Sequence, residues 1–282
     1  MNSTLATGCG NLYRSIRSVT YMALEPIDWT SRRLNGLRHY PPLWLKRHSG
    51  ALGSPDGSAT EFAAYLKLLL GLKSTHRLWD IGCGSGLLEL ALETGRFRGQ
   101  VVATDIHRPS IRWAQKTISR RMPQFEFLHA DIRNDAYWPK GHLTAEEWFA
   151  EFDGNDFDVV IAKSLFTHML PDEMNLYLRE IAHRLKDGGT ALLSFFLLNP
   201  TQKKLEHRND ILFRKPDNET RYAVKYTAVP TAAVAYDERH ISQCLKNAGL
   251  RLRGDIHYGF WTGRDNGLSY QDIVLVDTFQ RP

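Results

Sequence analysis

The chain has 282 residues, 43% of them hydrophobic and 24% charged, which is enough apolar material for a substantial core. It holds no run of about 18 apolar residues of the kind a membrane span needs. Its three cysteines, Cys9, Cys83 and Cys244, are too few and too far apart for a disulfide framework or a zinc site, so a reducing, cytoplasmic setting is expected. The formal net charge of +5 is concentrated at one end. Residues 1–50 hold Arg14, Arg17, Arg32, Arg33, Arg38, Lys46 and Arg47 against Glu25 and Asp28, and the remainder carries 29 groups of each sign.

In chain order, residues 1–55 stand apart as a basic N-terminal cap, and residues 56–282 form the main domain. Met1 to Gly10 lack the basic start and apolar block of a signal peptide. Leu12, Ile16 and Val19 have helical spacing. Ser49 to Gly57 reads as a loop leading into a helix over 58–70, whose stripe is Phe62, Tyr65, Leu66 and Leu69. Strands are expected over 77–81, 100–105, 125–130, 157–162 and 190–197. Helices are expected over 87–93, 109–120 and 171–186, the last ended by Gly188-Gly189. Continuous apolar strands joined by helices imply a parallel sheet covered on both faces. An insertion over 133–156 carries a short helix at 144–152, and the irregular stretch 199–233 reads as a substrate-loop insertion. A helix at 237–248 then precedes two strands, 250–260 and 271–279, joined by a turn through Gly263 to Gly267.

The most informative stretch is Leu78-Trp79-Asp80-Ile81-Gly82-Cys83-Gly84-Ser85-Gly86. A buried strand ends, a glycine turn follows, and a helix begins with its partly positive N-terminus facing the turn. A dinucleotide fold would spell G-x-G-x-x-G, but here the third glycine comes one residue early. Asp80 before the loop would also oppose a pyrophosphate, whereas it suits an ammonium or sulfonium. Asp105 closes the second strand, where a carboxylate can accept from both hydroxyls of a ribose or cap a helix. An NAD-dependent oxidoreductase is the alternative enzyme class.

The loop D-x-G-x-G-x-G with an acid after the next strand resembles the class I S-adenosylmethionine-dependent methyltransferases, over roughly Gly71 to Phe196. The resemblance implies a doubly wound, mostly parallel seven-stranded α/β sheet with an antiparallel closing strand. It implies S-adenosylmethionine as cofactor, held by Asp80, Gly82, Cys83, Gly84, Gly86, Asp105, Ile106, Asp131, Ile132, Lys163 and Ser164. Within that set Asp131 would accept from the adenine amino group and Ile132 would pack on the ring, though Asp131 also fits a simple turn.

The segment after the fourth strand, Ala162-Lys163-Ser164-Leu165, lacks the N/D-P-P-Y/F of nucleobase amino methyltransferases. Ser164-Leu165-Phe166-Thr167-His168 instead resembles the S-x-F-x-H of small-molecule members. His168 is the candidate general base, with packing beside the cofactor as its other reading. The tail, Tyr258-Gly259-Phe260-Trp261-Thr262-Gly263-Arg264 and Tyr270-Gln271-Asp272, resembles a G-x-W-x-G-R…Q-D ending of uncharacterised bacterial members. Tyr258, Trp261 and Arg264 either line an acceptor pocket or pack the closing hairpin, with Arg264 and Asp272 pairing; Asn199, His207 and Tyr236, placed after the fifth strand, are further pocket candidates. The expected activity is methyl transfer to a small or medium acceptor, at oxygen or nitrogen rather than carbon. No metal and no nucleic acid partner is expected. RNA or protein methylation through the basic cap is the other methyltransferase reading, and a non-enzymatic cofactor-binding module is the reading outside catalysis.

Overall fold

The computed structural model describes residues 23–46, 55–208 and 211–278, so the stripe Leu12, Ile16 and Val19 and most of the 49–57 loop lie outside the described residues. The chain opens with α1 (helical over 23–34), α2 (Leu43–Lys46) and α3 (Pro55–Leu68). Then come β1 (Arg77–Ile81), α4 (Leu87–Thr94), β2 (Gln100–Asp105), α5 (Arg108–Thr117) and β3 (Phe125–His129). The middle of the chain forms α6 (Ala145–Glu151), β4 (Phe157–Ala162), α7 (Pro171–Arg184), β5 (Leu185–Phe195), β6 (Leu197–Leu198) and α8 (Pro200–Lys204). The last part forms β7 (Tyr222–Val224), β8 (Val234–Asp237), α9 (Glu238–Asn247), β9 (Leu250–Leu252) and β10 (Asp272–Thr278). Seven strands make one sheet in the order β3-β2-β1-β4-β5-β10-β9. β10 runs antiparallel to both β5 and β9, while β4 is parallel to β1 and β5. This is the doubly wound sheet with an antiparallel closing strand that the sequence implies.

Internal contacts divide the chain into two units, residues 1–75 with 83–130, and 76–82 with 131–278 among the described residues. In the first unit β2 and β3 pair in parallel, Asp105 opposite His129. α5 is tied to this pair by Gln115 Nε2, which donates to the Phe127 carbonyl at 2.7 Å. In α1, Arg32 pairs with both acids of the basic segment, Glu25 at 3.0 Å and Asp28 at 2.6 Å. Those acids also accept the backbone N–H groups of Trp44 and Leu43, which pins α2 beside α1.

The second unit is centred on aromatic packing. Trp79 of β1 is fully buried, stacked on Phe157 at 5.4 Å and tilted against Phe152 at 5.2 Å. The insertion contributes to that core through α6, which begins in a capping box: Glu147 N–H donates to Thr144 Oγ1, and Thr144 N–H to Glu147 Oε2. Arg184 of α7 fastens the end of α6. Its Nη2 donates to the carbonyls of Phe149 and Phe152 at 2.7 and 3.1 Å, and Nη1 pairs with Glu180 at 3.2 Å.

Three expectations need correction. α7 ends at Arg184 rather than 186, because β5 starts at Leu185 opposite Phe157 and then loops out before Thr190 pairs with Val159. Gly188 takes φ +76°, and a side chain on Gly189 would press on the Phe157 carbonyl at 2.9 Å, so the double glycine permits the loop-out. The strand expected at 250–260 stops at Leu252: Gly254 turns the chain at φ +77°, and the next ladder contact is the single bridge of His257 to Ile273. The irregular 199–233 stretch supplies β7 to a small sheet, β6-β8-β7. Among the described residues, no helix is long and apolar enough to cross a membrane.

Candidate active site

The first unit contains the glycine loop. Gly84 and Gly86 have φ of +57° and +79°, and Gly82, the neighbouring residue of the second unit, has +81°. Alternate glycines are therefore required by the backbone itself. Gly86 carries a second constraint, since a Cβ there would meet Ile118 Cδ1 at 2.6 Å. The turn is closed by Gly86 N–H to the Cys83 carbonyl and fixed by Cys83 N–H to the Thr104 carbonyl, both 3.1 Å. α4 starts at Gly86 with no side-chain cap, so its first N–H groups are not claimed by a capping side chain.

Asp105 holds this loop from β2. Its Oδ2 accepts from Gly84 N–H at 2.8 Å and its Oδ1 from His107 N–H at 2.6 Å. Burial raises its pKa, opposed by those two N–H groups and by His129. A carboxylate has about four lone-pair sites, so two remain for further donors. Ile106, next in the chain, is half-buried and its carbonyl faces His129 Nε2 at 3.1 Å.

In the second unit, Asp80 is buried at the end of β1. Asp131 organises the loop that follows β3. Its Oδ1 accepts the Trp138 indole N–H at 3.1 Å, and its Oδ2 contacts His142 Nδ1 at 2.6 Å. The Asp131 carbonyl takes the N–H groups of His142 and Leu143, and Ile132, which is buried, bridges to Leu143. Gly141 is needed there because a Cβ would run into the backbone of Ile132 and Arg133.

Past β4, Lys163 and Ser164 are half-buried. Ser164 stands at φ +54°, uncommon for a residue with a side chain. Its N–H donates to Ser194 Oγ at 2.7 Å, and both hydroxyls donate to Gln271 Oε1, at 3.0 and 2.7 Å. A polar network thus pins the strained residue across β5 to the start of β10. The turn Phe166–His168 follows. His168 Nδ1 lies 3.0 Å from the Tyr137 hydroxyl and 3.1 Å from the Thr231 carbonyl. Burial lowers the His168 pKa, opposed by the carbonyls of Thr231 and Ala232, which favours the neutral form of the ring.

The tail candidates fall into two groups. Asn199 and Tyr258 meet on Glu238, whose Oε2 accepts from Asn199 Nδ2 at 2.7 Å and from the Tyr258 hydroxyl at 3.0 Å. Arg264 stacks over the Tyr258 ring at 4.3 Å. Asn199 also caps α8 through the Gln202 N–H. Trp261 is fully buried against Phe196 and Phe213, and its indole N–H donates to Asp272 at 2.8 Å. Asp272 accepts Leu197 N–H and Gly259 N–H as well, so the G-x-W…Q-D ending is first of all a buried fastening. Tyr236 is buried with its hydroxyl on the Met169 carbonyl at 2.6 Å, and His207 is exposed. Tyr137, Ser194 and Glu238 were not singled out from sequence. Two adjacent aromatics, Tyr137-Trp138, in the mostly polar first part of the insertion, 133–142, were the available signal for the first.

A seven-stranded sheet with an antiparallel closing strand, a triple-glycine turn after β1 and an acid ending β2 define the class I methyltransferases, whose cofactor is S-adenosylmethionine. Residues 79–189 of this chain match the family model for the methyltransferase domain. The dinucleotide alternative is thereby set aside. Over 81 residues the chain is 31% identical to ribosomal RNA small subunit methyltransferase C of Haemophilus influenzae (strain 86-028NP). That match covers 28% of this chain and 24% of the relative, so it spans about a quarter of the relative's length. Among solved structures the chain is similar to the mitomycin 7-O-methyltransferase, at 16% identity and TM-score 0.50, over 92% of this chain and 60% of that one. It is also similar to 1,6-didemethyltoxoflavin-N1-methyltransferase of Burkholderia thailandensis, solved with 1,6-didemethyltoxoflavin and S-adenosylhomocysteine. There the identity is 19%, the TM-score 0.50, and the coverage 92% of this chain and 89% of that one. At these identities the likeness is one of fold.

Proposed function

We propose that the protein methylates a small or medium-sized acceptor at oxygen or nitrogen, with His168 as general base. The observation that carries this reading is the ring itself: an imidazole, half-buried, anchored at Nδ1 beside Tyr137 and Thr231 just past β4. When bound, S-adenosylmethionine supplies a methyl group on a sulfonium that is already an excellent leaving group. The remaining task of the chain is alignment, water exclusion and removal of the acceptor proton.

The residues present suit that cofactor. Gly84 and Gly86 keep side chains out of the loop, and Asp105 retains lone pairs for ribose hydroxyls after holding Gly84. Cys83 and Ile106 belong to the same proposal, as do Asp80, Gly82, Asp131, Ile132, Lys163 and Ser164. Asn199, Tyr258 and Arg264 are assigned to the acceptor, with Glu238 added as the group they share and Trp261 supporting them from the core. Residues 1–55 are assigned as a separate cap on the main domain.

The test is calorimetric titration with S-adenosylhomocysteine on wild type and Asp105→Ala, followed by an acceptor screen read as S-adenosylhomocysteine formation. Small hydroxy- and amino-compounds should turn over, and His168→Ala should abolish transfer to hydroxyls. Cofactor binding without turnover on any acceptor would favour a binding module. A second reading is favoured by the likeness to a ribosomal RNA methyltransferase together with the basic segment. If RNA is the acceptor, its retention should fall steeply with added salt.

A further inference from the structure

The insertion that follows β3 had no role in the sequence, yet it delivers a side chain to the candidate base. Asn134 Oδ1 accepts the N–H groups of Ala136 and Tyr137, both at 3.0 Å. Asn134 and Trp138 exchange backbone hydrogen bonds at 3.0 and 2.8 Å. Asp131 clamps the Trp138 indole, and Gly141 lets the returning strand touch Ile132. The loop is thus closed at both ends, and Tyr137 is held at its turn. The Tyr137 and His168 rings meet edge to face, centroids 5.3 Å apart at 73°.

Two oxygens lie within hydrogen-bond distance of His168 Nδ1, and the Ala232 carbonyl also faces the ring. The Thr231 carbonyl, 3.1 Å from His168 Nδ1, can only accept. That contact is attractive only when Nδ1 carries the proton. The Tyr137 oxygen, 3.0 Å from the same nitrogen, then accepts from the same N–H as its second partner.

We propose that Tyr137 is the positioning residue of the candidate base: with the Thr231 carbonyl it holds His168 as the Nδ1–H tautomer, leaving the lone pair on Nε2 for the acceptor. The inference rests on His168 acting as base. Nε2 takes the acceptor's proton while the acceptor atom forms its bond to the methyl carbon and the carbon–sulfur bond breaks. The imidazolium so formed shares its Nδ1–H between Tyr137 and Thr231, and the Nε2 proton leaves to solvent. Four segments pack against the Phe166–His168 turn: β5, the 230–232 turn, β8 and the 133–143 loop. Tyr137 touches the ring directly; the same loop also carries Arg133 and Asp135, which pair with each other, Lys140, and His142, which faces Asp131, while β8 brings Tyr236, spent on the Met169 carbonyl, and Asp237, which caps α9. The paired part of β5, Thr190–Phe195, brings apolar and hydroxyl groups only. Lys163 lies on the turn's own segment, five residues before His168.

The test is nitrogen NMR of the full chain with labelled histidine, saturated with S-adenosylhomocysteine, the His168 signals being those absent from His168→Gln. In wild type the neutral ring should carry its proton on Nδ1. A hydroxyl that accepts from the ring favours the charged form, so Tyr137→Phe should lower the His168 pKa, by about half a unit or more. A proton on Nε2 in wild type would overturn the proposal without any variant. So would a pKa that rises in Tyr137→Phe, which would mean that the tyrosine donates to Nδ1, or one that does not move, which would mean that it only packs. None of these outcomes depends on turnover. Failure of His168→Ala to affect transfer would instead remove the base assignment, and the two failures are told apart.

Discussion

The Gly84 amide donates to the Asp105 carboxylate across 2.8 Å, so the acid assigned to the ribose also sets the shape of the loop before it. Ligand binding and loop geometry are therefore coupled at one residue. Asp105→Ala should lose both. A hydrogen bond to a charged group is worth about 1.5–3 kcal/mol, so S-adenosylhomocysteine should bind at least about tenfold more weakly, with a lower melting temperature even without ligand. Calorimetry paired with a thermal melt checks this. Unchanged affinity in a folded variant would refute the ribose assignment.

Asp272 gives a pH dependence with a definite sign. Burial pushes its carboxyl up to about 6, against the N–H groups of Gly259, Leu197 and Trp261 and the charge of Arg264. The native state therefore holds this proton more tightly than the unfolded chain, whose carboxyl titrates near its ordinary value of about 4. The stabilisation is fully present below that value and is lost as pH rises through about 6. At ~1.4 kcal/mol per unit it amounts to a few kcal/mol. Urea unfolding of wild type and Asp272→Asn at pH 4.5 and 7 should show the difference between them changing across that window. Parallel curves would contradict it.

Arg184 is a buried cation whose charge is met by two carbonyls and Glu180. Removing it strands all three. Arg184→Ala should cost about 3–5 kcal/mol, and Arg184→Lys should restore only part, because a lysine cannot span both carbonyls. α6 should become the first site of cleavage in limited proteolysis of the alanine variant.

Gly141→Ala should behave as a loop mutation. The added methyl meets the backbone of Ile132 and Arg133, so the segment carrying Tyr137 must shift. A melting temperature within a few degrees of wild type with a His168 titration displaced as in Tyr137→Phe is the expected pair of results. An undisplaced titration would separate the loop from the base.

The sheet was legible because its strands are continuous apolar runs and its turns are spelled in glycine, Gly82-Cys83-Gly84-Ser85-Gly86 above all. The helix inside the insertion was also legible, since Thr144 and Glu147 stand at capping-box spacing. What could not be read was pairing between segments far apart in the chain. Nothing near Ser164 announces Gln271, 107 residues on, and nothing near His168 announces Thr231. The tail motif was visible but its aromatic content pointed toward a pocket, whereas Trp261 went to the core because its one polar atom found a buried carboxylate. The strand expected at 250–260 stops short because Gly254 takes φ +77° and turns the chain out of the ladder, a local conformation that alternation alone does not reveal.

The loop-out of Lys186 to Gly189 has a consequence for how this protein tolerates change. β5 is in register with β4 on both sides of it, at Leu185 and from Thr190 onward. The extra residues act as slack in the strand. Residues added or lost there would be absorbed at one end of the sheet, leaving Ser194 beneath Ser164 at the other. The candidate site is insulated from drift at the opposite end, and length variation in related chains should collect at that double glycine rather than beyond Thr190.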